Sequence, residues 1–375
     1  MATGTKRKTY APSAKPPIRR TKRNSFSKLH SVTFGKVFAV LFVGILAWAY
    51  QAIKPPLPKI CGTPDGPPVT APRIKLSDGR HLAYKEHGVS KRVAKHKIIF
   101  VHPFDTCRHD AVIATFISPE LVQELGVYIL SFDRPGYGES DPHPKQSVKS
   151  LSLDIEELAD KLRLGYKFYV SGYSLGAQLT WGVLKYIPHR LAGVTLIAPT
   201  INYWWPGFPA NLSAEAYNQQ LPQDQWNDHI AHYAPWLLDW WMTQKLFSSS
   251  SAAAHREVLS AQDKQVAPKI IRGRTHVAQV RQQGVHESII RDMKVSFGSW
   301  EFDIMDLQNP FPSSEVSVHL WQGDEDRIVP VALQRYIAQR LPWIHYHEVS
   351  GSGHLLPYVD GMCDAVIKTM LTWRK

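Results

Sequence analysis

The chain has 375 residues, 44% hydrophobic and 20% charged, an ordinary globular composition and enough length for one large core or one core with an inserted subdomain. Three cysteines (Cys61, Cys107, Cys363) allow one bridge at most, which excludes a disulfide framework; their spacing fits no zinc pattern and reads as buried free thiols. The net charge of +12 belongs to a tail, because residues 1–36 hold ten Lys/Arg and no acid, so the folded body has no reason to seek nucleic acid.

That basic stretch, 1–36, is expected to be a disordered leader. An uncharged apolar run follows at 37–53, near the lower length for spanning a bilayer, with Trp48 and Tyr50 placed as interfacial anchors. The positive charge before it predicts a single-pass anchor with a cytosolic leader, in the endoplasmic reticulum or another endomembrane. Two other readings stay open: a chloroplast transit peptide, since the leader is rich in Ser/Thr and lacks acids, and a cleaved signal, since Ala47-Trp48-Ala49 resembles a peptidase site. Seven prolines between 55 and 72 predict a stiff extended linker over 54–72.

Structure is expected to begin with a hairpin, Arg73–Leu76 and Arg80–Glu86 around Ser77-Asp78-Gly79. Short apolar strands then alternate with amphipathic helices: strands at 97–102, 127–132, 166–171, 191–198, 316–321 and 344–349, helices near 148–163, 175–187, 330–340 and 355–373. The pattern predicts an α/β protein with a mostly parallel central sheet flanked by helices, split into 73–199 and 313–375. Between them, 200–312 reads as an inserted helical cap that holds seven of the twelve tryptophans. Those tryptophans either roof an apolar substrate pocket or pack the cap onto the sheet. Asn211-Leu212-Ser213 in the cap is a glycosylation sequon if the body is lumenal.

Gly172-Tyr173-Ser174-Leu175-Gly176 is a G-x-S-x-G pattern between a predicted strand and a predicted helix. A serine hydroxyl attacks only when a base takes its proton and an acid orients that base. His354, in Gly351-Ser352-Gly353-His354, is the candidate base. Asp326, in Gly323-Asp324-Glu325-Asp326, is the candidate acid, with Asp324 as its rival. Both follow predicted strands, at the end where open α/β sheets build their sites. The pairs His229/His232 and His345/His347 lack a recognisable third ligand, so neither a metal nor another cofactor is expected.

Five motifs in one order resemble the α/β-hydrolase family over about residues 70–375: the loop His102-Pro103-Phe104, the turn Phe132-Asp133-Arg134-Pro135-Gly136-Tyr137-Gly138-Glu139-Ser140, then Gly172–Gly176, Gly323–Pro330 and Gly351–His354. The chain is similar to plant-type members with an N-terminal hydrophobic segment. The resemblance implies the α/β-hydrolase fold, a triad of Ser174, Asp326 and His354, and an oxyanion hole from the backbone N–H groups of Phe104 and Leu175. Capped relatives that open epoxides or cleave carbon–halogen bonds carry Asp where this chain has Ser174, so the resemblance points to acyl transfer. One departure is Pro103, where the family pattern has glycine, because proline cannot take positive φ. The expected activity is hydrolysis of a small-molecule ester or lipid-like substrate. A receptor-like protein that binds but hardly turns over, and a lyase or acyltransferase using the same residues, are the alternatives.

Overall fold

Ile98 and Phe100 belong to one apolar cluster and Ile99 and Val101 to another, as a strand buried on both faces requires when side chains alternate every residue. That strand is the middle of an eight-stranded sheet in the computed structural model, which describes residues 1–5, 26–246, 256–312 and 316–373. The strands are β1 (Arg73–Lys75), β2 (His81–Gly88), β3 (His96–Val101), β4 (Val127–Phe132), β5 (Phe168–Tyr173), β6 (Leu191–Ile197), β7 (Val318–Gly323) and β8 (His345–Val349). Their order is β1-β2-β4-β3-β5-β6-β7-β8. β1 and β2 form the expected hairpin, with Arg73 opposite Ala83 and Lys75 opposite His81, and β2 lies antiparallel to β4. From β4 to β8 every pairing is parallel.

Helices cover both faces, as parallel strands joined by crossovers demand. Val148–Lys161, started by a Ser147/Ser150 capping box, and Leu175–Tyr186 bury Leu151, Ile155, Leu179 and Val183 in the larger cluster. Met362–Thr372 covers the other face with Val366, Ile367 and Met370. The helix expected over 355–373 is broken: a short turn at Leu356–Tyr358 precedes Met362, because Pro357 offers no N–H and Gly361 takes φ +79°.

Among the described residues, the chain between β6 and β7 is helical, with Ala210–Asn218, Pro222–Tyr233, Leu238–Thr243, Ala261–Gly273 and Arg291–Phe297 as its main elements. Its two ends differ from its centre. Trp205, Phe208, Ile304, Met305 and Phe311 join the larger core cluster, whereas Ile230, Leu238, Ile289, Ile290 and Phe297 form a cluster of their own with Cys107 and Tyr137.

The proline-rich stretch is fastened rather than free. Thr70 N–H (2.7 Å), Thr70 Oγ1 (2.6 Å) and Ala71 N–H (2.9 Å) all donate to Glu139, and Lys59 and Cys61 N–H donate to Gln283 (2.9 and 3.0 Å). All three cysteines are free and buried.

The described residues before Ile53 form a unit of their own. Their helix, Phe26–Ile53, begins inside the stretch expected to be a disordered leader, while 6–25 lie outside the described residues. Its segment Phe34–Gln51 is long and apolar enough to cross a bilayer, a property that a signal sequence shares.

Glu139 is also one end of a buried ion network. Arg108 donates to Asp133 (2.5 Å) and to Glu139 (2.8 Å), and all three side chains are under 5% exposed. Asp133→Ala leaves Arg108 with one carboxylate in place of two, so it should cost about 3 kcal/mol, read as a lower urea midpoint at unchanged slope.

Candidate active site

β5 ends at Tyr173, two residues later than the sequence pattern places it, so Ser174 is the first residue past the strand and caps the helix Leu175–Tyr186. It sits at φ +53°, ψ −122°, a strained conformation for a side-chain-bearing residue. The glycines on either side serve close approach. A Cβ on Gly172 would stand 2.6 Å from the Ala177 Cα, and one on Gly176 would stand 2.2 and 2.5 Å from the carbonyls of Val101 and His102. The helix start is thereby pressed against the end of β3.

The structure brings Ser174, His354 and Asp326 into one line. Ser174 Oγ lies 2.9 Å from His354 Nε2, and His354 Nδ1 lies 2.8 Å from Asp326 Oδ2. A carboxylate only accepts, so Nδ1 carries the proton and Nε2 is left to accept from the serine. Asp326 is held in turn by the N–H groups of Ile328 and Val329 (both 2.9 Å) and by Gln322 Nε2 (2.9 Å). Asp324 points elsewhere: it accepts from Gly351 N–H (2.7 Å) and Ser350 Oγ (3.1 Å), tying the loops after β7 and β8 together. Burial opposes protonation of His354, but the charge and hydrogen bond of Asp326, with a smaller contribution from Asp263, outweigh it and hold the imidazole above its ordinary value of 6.5.

Phe104 and Leu175 line the same cavity as Ser174 and His354. Leu175 N–H is the first of the helix and has no carbonyl four residues back within it. The left-handed residue of this loop is Asp105, at φ +54°, and Pro103 is not among the positive-φ residues. His102 is buried with Nδ1 bonded to the Pro103 carbonyl (2.9 Å), while Nε2 accepts Arg134 N–H (3.1 Å). Burial and the nearby Arg134 keep its pKa well below 6.5, so it stays neutral.

Arg134, which the sequence reading passed over although it lies inside a quoted motif, braces the loop from beneath. Its guanidinium donates to the carbonyls of His102 (3.2 Å) and Pro103 (3.1 Å) and to Asp292, which also accepts from Tyr137 OH (2.6 Å). Gln322 and Asp292 were missed as well. Gln322 falls one residue past the expected strand 316–321, and nothing near Asp292 distinguishes it from a surface carboxylate.

The cavity measures about 810 Å³. Its apolar wall comes from Phe104, Met242, Ile270, Ile271, Met293 and Phe297, and its polar wall from Asp224, Asn227, Asp228, Lys264, Arg272 and Arg274. None of the tryptophans lines it, which removes the pocket-roof reading, and the packing reading holds for only some of them, since Trp226 and Trp236 are exposed. Trp205 packs on Phe208 and Trp300 in the core, and Trp204 stacks on His232. The histidine pairs are engaged too: His232 bonds the Phe297 carbonyl (2.6 Å), His229 packs on Tyr233, and His347 bonds His319 (2.9 Å), which packs on His345.

The model of the alpha/beta hydrolase family matches residues 98–369. A protein described as a probable lysophospholipase, BODYGUARD 4 of Arabidopsis thaliana, is 22% identical over 293 residues, which span 75% of this chain and 66% of that protein. A thermophilic esterase from Thermogutta terrifontis aligns over 80% of this chain and 97% of its own at 19% identity and TM-score 0.52. The enol-lactonase from Burkholderia xenovorans LB400 aligns over 80% and 100% at 16% identity and TM-score 0.51. At such identities the structures speak to the fold.

If the helix start must touch β3, a methyl group at Gly176 has nowhere to go. Gly176→Ala should lower stability by about 1–3 kcal/mol through overpacking, measured by chemical denaturation against a Gly273→Ala control, where a Cβ meets open space.

Proposed function

The chain belongs to the alpha/beta hydrolase family, and from that premise we propose that it cleaves carboxylic esters through an acyl-enzyme on Ser174. The observation that carries this reading is the unbroken hydrogen-bonded line from Ser174 through His354 to Asp326, opening on a large cavity. His354 Nε2 takes the Ser174 proton as Oγ bonds to the ester carbonyl carbon. The oxygen that gains the negative charge is received by the N–H groups of Leu175 and Phe104. Collapse expels the alcohol, which leaves with the proton from His354. Water then repeats the sequence on the acyl-enzyme and releases the acid. Asp326 holds the imidazole tautomer throughout and stabilises the imidazolium that forms.

The substrate class follows from the cavity walls. An apolar wall suits an acyl chain, and the polar wall of Asp224, Asp228, Lys264 and Arg274 suits a polar alcohol portion. Together they favour a single-chain amphipathic ester, and the relative described as a probable lysophospholipase supports the same class. We assign 200–312 as the cap over this cavity. The N-terminal helix serves as a single-pass anchor in an endomembrane, which keeps a lipid-active body near its substrate.

The test is turnover by the full chain in detergent, with p-nitrophenyl esters of graded acyl length and lysophosphatidylcholine. Ser174→Ala should lower kcat by a factor on the order of 10⁴ or more; hydrolysis that persists in Ser174→Ala contradicts the proposal. The base acts only when neutral. Because His354 is held above 6.5, activity should rise with pH through a midpoint above that value. Asp326→Asn removes the main group holding it there, so the midpoint should fall while kcat drops by a factor on the order of 10⁴. A pH–rate profile of kcat/KM reads both changes.

A further inference from the structure

The helix Ala261–Gly273 lines the cavity with Lys264, Ala267, Ile270 and Ile271, and its first turn reaches the other way. Ser260 caps it in a capping box: Ser260 Oγ accepts Asp263 N–H (3.0 Å), and Asp263 Oδ2 accepts Ser260 N–H (3.2 Å). In an isolated helix that exchange would be the whole role of the acid. Here the same carboxylate also accepts His354 N–H at Oδ2 (3.1 Å) and Leu355 N–H at Oδ1 (2.8 Å). Asp263 is 1% exposed, so these bonds form out of water, where a charge-assisted bond is strong.

The loop has been shaped to admit it. A Cβ on Gly353 would stand 1.9 Å from Asp263 Oδ2 and 2.6 Å from Ser260 Oγ, so only glycine lets the helix cap meet the histidine loop. The other groups around His354 are Asp326 at Nδ1, Ser174 at Nε2, and Tyr173, whose ring stacks at 5.5 Å and whose hydroxyl donates to the His354 carbonyl (3.0 Å). Tyr358 packs behind Tyr173 at 6.0 Å. Burial raises both phenol pKa values, so both stay neutral and uncharged toward the imidazole.

We propose that Asp263 is a positioning residue for His354, gripping the backbone of His354 and Leu355 so that the placement of the imidazole depends on the seating of the cavity-lining helix. The inference rests on the roles given above to Ser174, His354 and Asp326. Its consequence is a mechanical link between pocket and chemistry: a substrate that packs against Ile270 and Ile271 acts on the same helix that holds the base in place.

The test reads the imidazole itself. In the full chain, labelled on histidine and held in detergent, the His354 signal is assigned by its loss in His354→Gln and titrated by NMR. Asp263→Asn removes a carboxylate that favours the imidazolium, so the His354 midpoint should fall. Ester turnover should fall about tenfold as the base shifts. Ser260→Ala weakens the helix cap but leaves the carboxylate, so it should keep the wild-type midpoint. If Asp263→Asn and Ser260→Ala lose thermal stability alike and both keep the wild-type midpoint, Asp263 is a helix cap and nothing more, and the proposal falls. The midpoint is obtained whether or not the chain hydrolyses esters. Absence of Ser174-dependent turnover would therefore count against the proposed function without obscuring this result.

Discussion

Everything at the site depends on how closely one helix start approaches one strand end. Gly176 brings the first turn of Leu175–Tyr186 so near the carbonyls of Val101 and His102 that no side chain fits between them. That contact sets Ser174 at the C-terminal end of β5 with its hydroxyl toward His354, and it sets Leu175 and Phe104 in one wall. The cost is a serine in a strained backbone conformation, tolerated because packing on both sides leaves it no alternative. Ser174 N–H donates to the Ile197 carbonyl (2.8 Å), and its own carbonyl accepts from Gln178 and Thr200, which pins the turn from the β6 side as well.

Around that contact, buried charges hold loops that sequence patterns treat as separate. Arg134 and Asp292 are both fully buried, and together they fasten the loop after β3 to the helix Arg291–Phe297. Arg108, Asp133 and Glu139 do the same between the loops after β3 and β4 and the N-terminal strap at Thr70. Buried ion pairs add little net stability relative to apolar packing, but they penalise misplacement heavily, because a charge left unpaired in the core is expensive. The arrangement therefore suits loops whose position matters more than their contribution to stability. Asp263 extends the same logic to the histidine loop.

Much of this was legible from the residues. Strand alternation, the Asp-Gly hairpin and the five ordered motifs led to the right fold, since period and turn chemistry are local properties. The line Ser174–His354–Asp326 followed from motif order, and the choice between Asp326 and Asp324 needed coordinates, since the two lie two residues apart and only one reaches the imidazole. What resisted reading was tertiary. Trp204 and Trp205 left two roles open because large aromatics fit a pocket roof or a packed cap alike, and only their neighbours show that they pack. The prolines of 54–72 signalled an extended backbone but not the carboxylate of Glu139 that receives it. Asp263 carried a local signal, the Ser260 capping box, that concealed a long-range one.

Whether Ser174 is the nucleophile is read from the site of a covalent adduct. The full chain is treated with a fluorophosphonate at neutral pH, digested, and its peptides weighed. One phosphonylated residue, Ser174, is expected, with labelling abolished in His354→Ala. Ester hydrolysis that continues without an adduct at Ser174, or an adduct that forms on another serine while Ser174 stays free, would contradict it.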